Sequence, residues 1–531
     1  MSRVWWCRHC RVPLLKERCE LCGCDAGEPV ASELIPVFAT EMALLRDGFG
    51  LTELPQRTRD CYLWTSGSAY YRHGHELARV SFRGGSVPFL EVTDGSVLRK
   101  RPRRSFPGIP LAERVRLANA SRLHALEYEA CAFIEEVLHK YAGRVPVVAF
   151  SGGKDSTAVS LLARRVLPAA DLLHVFGDTG IESPDTVDFM ETFRRDNPQI
   201  PLIAAQPQSD FFELCETLGP PSRIKRWCCS TQKVFPLGLV YGVLSEQRGV
   251  LTLCGVRRVE SSRRQAHKRV LTDTKIANEV MASPILEWSD TQVWLFLMSQ
   301  NQQVNRAYRR GFRRVGCMYC PYESKWSEYL KTVYHPEQVK EWECLVNGYY
   351  RSRAKNQTAV PGIDRWKARA GGLSRSDDLS SLTRRPCTDD TSSFSIACSG
   401  SVTSGFWEYM RPFGNVRISY DDGMLSHGQV LDETGDVLFD MRVSRPRGHI
   451  RVTLHAQKNQ RLLSQRITRQ IRKAQACVLC GFCQIVCPAN AISCNGHYAI
   501  DPDRCVHCLR CVREVRGGCV AAHATRVTGS R

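Results

Sequence analysis

The sequence predicts an α/β protein with a parallel-sheet core, small cysteine-bearing modules at both ends, and β-rich modules between. Three observations carry this. Four apolar runs of strand length recur between residues 145 and 256, with helical stretches separating them. A glycine-rich turn, SGGKDS, directly follows the first run, where open α/β sheets bind ligands. The 25 cysteines are clustered rather than scattered.

With 531 residues the chain is too long for one compact core, and roughly three or four domains are expected. No apolar stretch approaches the ~20 residues of a membrane span, and MSRVWWCRHC lacks the apolar centre of a signal peptide. A cytoplasmic protein with no membrane partner is expected. In that compartment clustered cysteines bind metal or carry redox chemistry rather than disulfides. The formal charge is +19. Four all-thiolate sites at about −2 each would leave it basic, at about +11. That balance suits an anionic partner, or simply solubility.

In chain order, Cys7-x-x-Cys10 and Cys19-x-x-Cys22 are two knuckles that set four thiolates on one tetrahedron, a zinc ribbon over 1–28, with Cys24 spare. Four sulfurs leave no open position, so this Zn²⁺ is structural. Residues 29–110 alternate short apolar runs with glycine turns and read as a small β-rich module. It closes on a basic run, Arg99 to Ser105, either a linker or a phosphate-contacting arm. Residues 111–140 carry helical spacing at Leu123, Leu126, Ala130, Phe133, Ile134 and Val137. Strands are expected at Val145–Phe150, Leu172–Asp178, Pro201–Pro207 and Val250–Val256, within an α/β domain spanning 111–370. A linker over 371–389 and a second β-rich module over 390–460 follow. The tail, 461–531, opens with a basic helix.

The turn itself is informative. Ser151, Gly152, Gly153, Ser156 and Thr157 can bring backbone N–H groups and hydroxyls to phosphate at a helix N-terminus. The Walker pattern GxxxxGK[ST] is absent, which argues against γ-phosphate transfer. SGGKDS resembles the PP-loop signature of the adenine nucleotide alpha-hydrolase superfamily, which holds a pyrophosphate or phosphosulfate. GDTGIES, GVRRVESSRRQ, PILEWSDTQVW and RAYRRGFRRVGCMYCP resemble, in order, elements of the phosphoadenylylsulfate (PAPS) reductase family over roughly 120–325. The resemblance implies MgATP or a related nucleotide as ligand. Lys154 would neutralise the leaving group, and Asp155 and Asp178 are candidates for Mg²⁺. Glu182 and Arg257 would line the pocket, and Arg257, Arg263 and Arg264 offer bidentate contacts to an anion.

RWCCSTQK places Cys228 and Cys229 side by side, and GCMYCP supplies Cys317 and Cys320. This resembles the [4Fe–4S] pattern of assimilatory sulfonucleotide reductases, with a structural zinc site as the alternative. Those reductases carry their nucleophile in a Glu-Cys-Gly-(Ile/Leu)-His tail motif, which is absent here; Cys215, Cys254 or another thiol would have to substitute. In the tail, CVLCGFCQIVCP and CVHCLRCVREVRGGC form a bacterial-type ferredoxin with two [4Fe–4S] clusters. Cys477, Cys480, Cys483 and Cys519 would hold one, and Cys505, Cys508, Cys511 and Cys487 the other. Cys494 is expected to be a free thiol.

Three functions follow. The first is an ATP pyrophosphatase and sulfurtransferase that activates nucleic acid for sulfur insertion. It resembles the PAPS-reductase-like enzyme of DNA phosphorothioation (Dnd or Ssp type) phage-defence systems. DNA is then the acceptor, with transfer RNA as a variant, and a cysteine desulfurase and an electron donor are partners. The second is an APS or PAPS reductase fed by its own ferredoxin. The third is a nucleotide-binding redox scaffold, against which the intact Lys154–Asp155–Ser156 argues.

Overall fold

The computed structural model describes residues 3–56, 63–84, 87–93, 109–223, 226–245, 248–353, 366, 382–387, 390, 392–455, 459–513, 519 and 527–528, without the side chains of 263, 353, 527 and 528. The Arg99–Ser105 run and most of the 371–389 linker lie outside these residues.

A six-stranded sheet forms the centre. Its order is Leu202–Ala205, Leu173–Gly177, Val145–Ala149, Val250–Leu253, Glu279–Ala282, Val270–Leu271, parallel except for the last pair. The four expected strands are all present, each slightly shorter than its apolar run. Glu279–Ala282 was not expected, because a buried glutamate breaks its apolar pattern; Glu279 accepts a hydrogen bond from Thr252 at 2.8 Å on the neighbouring strand. Successive strands add to one side of Val145–Ala149 and then to the other. The chain therefore reverses direction across the sheet at that strand, a topological switch point, and SGGKDS sits at its carboxyl end.

The expected helix over 111–140 is two helices, Leu111–Ala118 and Ala120–Lys140. Asn119 breaks it for a tertiary reason. Its side chain accepts from Leu15 N (2.8 Å) and donates to Pro13 O (3.1 Å), docking the ribbon hairpin Trp5–Cys7/Val12–Leu14. The apolar positions expected on the second helix are its buried ones. Trp6, Cys7, Val12 and Leu14 join the same core as Leu111, Val115 and the central sheet, so the ribbon is part of that core rather than a separate unit.

Residues 35–92 form a five-stranded antiparallel sheet, as expected of a β-rich module, with an unexpected helix, Ala39–Phe49. Glu41 on that helix is fully buried and accepts both Arg313 guanidinium nitrogens (3.0 and 2.6 Å) and the Tyr70 hydroxyl (2.7 Å), clamping the module to the core.

The second β-rich module is a seven-stranded sheet whose edge gains Val527–Thr528 beside Leu382–Pro386. Helix Gln460–Ala476 packs Ile467, Ile471 and Ala474 under it, and Ile492, Tyr498 and Ile500 of the tail share that core. The boundary expected at 460 is therefore not a packing boundary. Among the described residues no helix is long and apolar enough to cross a membrane.

Candidate functional site

Strand Val145–Ala149 delivers Ser151, Gly152 and Gly153 to the start of helix Lys154–Val166. Gly152 has φ +67°, and a Cβ there would lie 3.1 Å from Phe189 and 3.3 Å from Met190, so both conformation and space demand glycine. Ser151 and Ser156 hydroxyls lie 3.2 Å apart, and the hydroxyls of Ser156 and Thr157 donate to Gly153 O at 2.9 and 3.0 Å. The loop is thus tied back on itself, with the helix N-terminus behind it, as anion binding requires.

Three of the expected site residues pair with one another in this geometry. Lys154 is 4 % exposed and paired to Asp155 (2.8 Å) and Asp290 (3.0 Å), so its ammonium is engaged inside the core rather than presented to a leaving group. Asp155 accepts from Lys154 on one oxygen and Arg257 (2.7 Å) on the other, so both oxygens already carry a cationic partner. Arg257 does not line a pocket. It is buried at 1 % exposure and donates to Asp155, Asp290 and Trp288 O. Burial and carboxylates compete at this cluster. Burial pushes the Asp290 carboxyl up, but Lys154 and Arg257 hold it below the usual carboxylate range. The Lys154 backbone N–H donates to Tyr308 OH at 2.9 Å.

Asp178 stands at the end of the adjacent strand Leu173–Gly177 and accepts from Gly180 N (3.0 Å) and Gln206 (3.2 Å). Glu182 is next along. It forms a β-bridge with Cys317, and its carboxylate accepts from Thr179 at 2.9 Å, with Cys317 Sγ at 3.8 Å. Burial raises the Glu182 carboxyl, against the opposing effect of Lys233.

Beyond Ser183 opens a cavity of about 1450 Å³. Cys229, Cys317 and Cys320 line it, and Arg223, Arg226, Arg264, Arg314 and Lys325 make it cationic. The loop residues 151–157 are not among its walls. Arg264 pairs with Glu260 at its rim, while the side chain of Arg263 lies outside the described residues. Tyr70 and Phe82 close one side, which gives the 35–92 module a role in shaping the cavity.

Cys228 precedes a π-helical turn, Cys229–Val234, a rare geometry that recurs at functional sites. Cys228 hydrogen-bonds Cys229 and holds its thiol well down against burial, assisted by Arg226 (Nη2 to Sγ 3.5 Å) and Lys233. The same hydrogen bond, then burial, then Cys229, Cys317 and Cys320 push Cys228 up, so the four thiols share one electrostatic neighbourhood. Cys215 and Cys254 are buried and are not among the cavity walls, and burial pushes both thiols up.

At the N-terminus, Cys7, Cys10, Cys19 and Cys22 bring their sulfurs within 4.8 Å of one another, with Cys7–Cys22 at 3.5 Å and Cys19–Cys10 at 3.7 Å. Zinc–sulfur bonds of about 2.3 Å place tetrahedral thiolates at such spacing, so the donor set fits Zn²⁺. Among the described residues no other group of three or more ligand atoms converges as closely. A cubane binds each thiolate to a different iron, so its four sulfurs stand farther apart than those around a single ion.

In the tail, Cys480 feels the charge of Cys519, Cys483 and Cys477, while Cys505 feels that of Cys487 and Cys508. Cys511 lies between them, near Cys483 as well as Cys487 and Cys505. Cys494 stands 3.6 Å from Cys483 Sγ, beside the first set rather than apart from it. The tail docks on the central domain through Ala277 N to Ile485 O (2.8 Å) and Arg510 to Thr274 O (2.7 Å). Cys519 shares an apolar cluster with Trp227, Met318 and Cys228, and Phe482 reaches the cavity wall.

Several of these residues escaped the sequence reading: Asp290, Tyr308, Lys233, and the Glu41–Arg313 clamp. Asp290 had a signal. Ser289 and Gln292 form a capping box that marks a helix start, where a carboxylate in the first turn is favoured. Glu41 and Arg313 are 272 positions apart and carried none.

The phosphoadenosine phosphosulfate reductase domain model matches residues 145–323. An adenosine 5'-phosphosulfate reductase of Streptomyces coelicolor is 30% identical over 213 residues, 39% of this chain and 79% of that protein. An uncharacterized protein of Methanocaldococcus jannaschii is 32% identical over 252 residues, 47% of this chain and 51% of its own length. The chain thus spans about half the length of that relative. The solved PAPS reductase of Candida auris, a phosphate complex, aligns at a TM-score of 0.28 and 15% identity, covering 38% of this chain and 96% of that one.

Proposed function

Given that the chain belongs to the phosphoadenosine phosphosulfate reductase domain family, we propose that it is an ATP pyrophosphatase and sulfurtransferase that inserts sulfur into the DNA backbone. The observation that carries the reading is the cationic cavity of about 1450 Å³ at the cysteine quartet. It exceeds the ~300–1,000 Å³ of ordinary small-molecule sites. It also lies beside the phosphate loop rather than over it, so a nucleotide and a larger anion can be held together.

In the reaction, a DNA phosphate oxygen attacks the α-phosphorus of MgATP and pyrophosphate leaves. Ser151, Gly152, Ser156 and Thr157 form the turn that holds the phosphates at the helix N-terminus. Asp178 is the carboxylate placed for Mg²⁺. A persulfide sulfur, delivered from a cysteine desulfurase, then attacks the activated phosphorus and expels AMP. Two electrons and a proton cleave the remaining S–S bond, leaving phosphorothioate and a thiol. Arg226 and Lys233 keep the cavity favourable to thiolate and phosphate. Cys228, Cys229, Cys317 and Cys320 would hold one [4Fe–4S] cluster and the eight tail cysteines two more, supplying single-electron transfer when loaded.

A second reading, sulfonucleotide reduction fed by the tail, is favoured by one observation. Cys519 packs in the same apolar cluster as Cys228, which sets the tail against the cavity. One anaerobic experiment separates the two. Reconstituted protein is given MgATP and assayed for AMP and pyrophosphate, with adenylylsulfate and PAPS run alongside for sulfite. AMP and pyrophosphate without sulfite support DNA sulfur insertion; sulfite release with ATP untouched establishes the reductase.

A further inference from the structure

The seven-stranded sheet buries one face on helix Gln460–Ala476 and leaves the other open. One register row crosses the open face: Tyr420, His427, Arg442, Arg451, Ser395 and Arg385 are successive cross-strand partners. Arg442 and Arg451 stand directly opposite each other, and both are exposed. Like charges so placed destabilise a sheet. Among the described residues neither arginine, nor Arg385, makes an ion pair that would relieve this. The nearest acids on this face are committed elsewhere. Asp440 contacts His455 at 2.7 Å and His427 at 3.6 Å, and Asp390 accepts from Ser392 and Ser393 while feeling Arg451 through charge alone.

We propose that this face docks duplex DNA through its phosphate backbone, an assignment that rests on the DNA reading above and names the surface that holds the acceptor. Strands lie roughly 4.8 Å apart, so His427 to Arg385 spans about 19 Å. That exceeds the ~12 Å width of the major groove, and the row can reach phosphates of both strands at once. The phosphates supply the close ion-pair partners that Arg442 and Arg451 do not find in Asp390, which Arg451 feels only through charge, and the contacts carry no base information.

The test uses the full chain and a fluorescein-labelled DNA duplex, with anisotropy followed over a salt series for the wild type and for Arg442→Gln/Arg451→Gln. The proposal expects the double variant to weaken binding about tenfold or more and to lower the salt slope by about two. A thermal midpoint at or above the wild type's shows that the variant is folded, since the repulsion is gone. Arg442→Glu/Arg451→Glu should weaken binding further. Wild-type affinity and slope in a folded double variant overturn the docking face while leaving the sulfur chemistry standing. Preference for single-stranded RNA over the duplex overturns the DNA assignment. Failure of the wild type to bind any duplex, together with sulfite release from adenylylsulfate, locates the failure in the underlying reading.

Discussion

Lys154 Nζ lies 3.0 Å from Asp290 Oδ1, joining the phosphate loop to the first turn of helix Asp290–Ser299. With Asp155 and Arg257 it makes a closed network of two cations and two carboxylates. The loop is therefore braced by charge through the lysine of its motif.

Asp290→Asn removes one carboxylate from that network and leaves two buried cations sharing Asp155. It is expected to cost about 1–3 kcal/mol. Because the Asp290 carboxyl is held below its ordinary value in the folded state, its contribution is present above the unfolded carboxylate range and lost as pH falls through the folded value. Denaturant unfolding at neutral and acidic pH checks both points. The variant should lose stability at neutral pH and show a shallower acid dependence than the wild type.

Lys154→Ala should abolish nucleotide turnover while iron content stays at the wild-type level. The lysine braces the loop, and no thiol set depends on it. Loss of iron together with activity would show instead that the network supports the whole domain.

His174 is fully buried, with Nε2 2.7 Å from the Ser160 hydroxyl and Nδ1 2.9 Å from Leu172 O. Burial lowers its pKa to about 4, against the raising effect of the Leu172 carbonyl. Between about 6.5 and 4 the unfolded chain binds a proton that the folded one does not. Stability therefore falls with pH in that window by up to about 1.4 kcal/mol per pH unit. The wild type's thermal midpoint should show this fall, and His174→Asn should flatten it.

The N-terminal quartet predicts one zinc per chain by elemental analysis. Cys19→Ser should lower the thermal midpoint of the whole central domain, because Trp6, Val12 and Leu14 share its core. An independent low-temperature transition for the ribbon alone would contradict that coupling.

Lys473 is buried at 1 % exposure with its ammonium 3.2 Å from the Tyr498 hydroxyl. Burial pulls its pKa down, and the charge of Cys483, Tyr498, Cys511 and Cys519 more than restores it. A fixed cation between the two thiol sets favours their reduced, more negative state. Lys473→Met should shift the tail's reduction potentials downward, and Lys473→Arg should move them less. EPR-monitored redox titration reads the potentials, and iron content confirms loading.

The local patterns were legible in the sequence. Apolar runs located four core strands because a parallel strand buried on both faces must be almost continuously apolar. The glycines of SGGKDS and the CxxC knuckles were legible because close approach to phosphate and thiolate geometry each demand fixed residues at fixed spacing. Tertiary structure alone decided how the polar groups were spent. Lys154, Asp155 and Arg257 look like ligand contacts in a string of residues, and only the arrival of Asp290 from the start of another helix turns them into a buried network. Glu279 inside a strand, Asn119 between helices and Glu41 on an unexpected helix are stable only because Thr252, the ribbon hairpin and Arg313 meet them. A desolvated polar group is tolerable solely when its partner is in place, and partners tens to hundreds of residues away leave no periodicity to read.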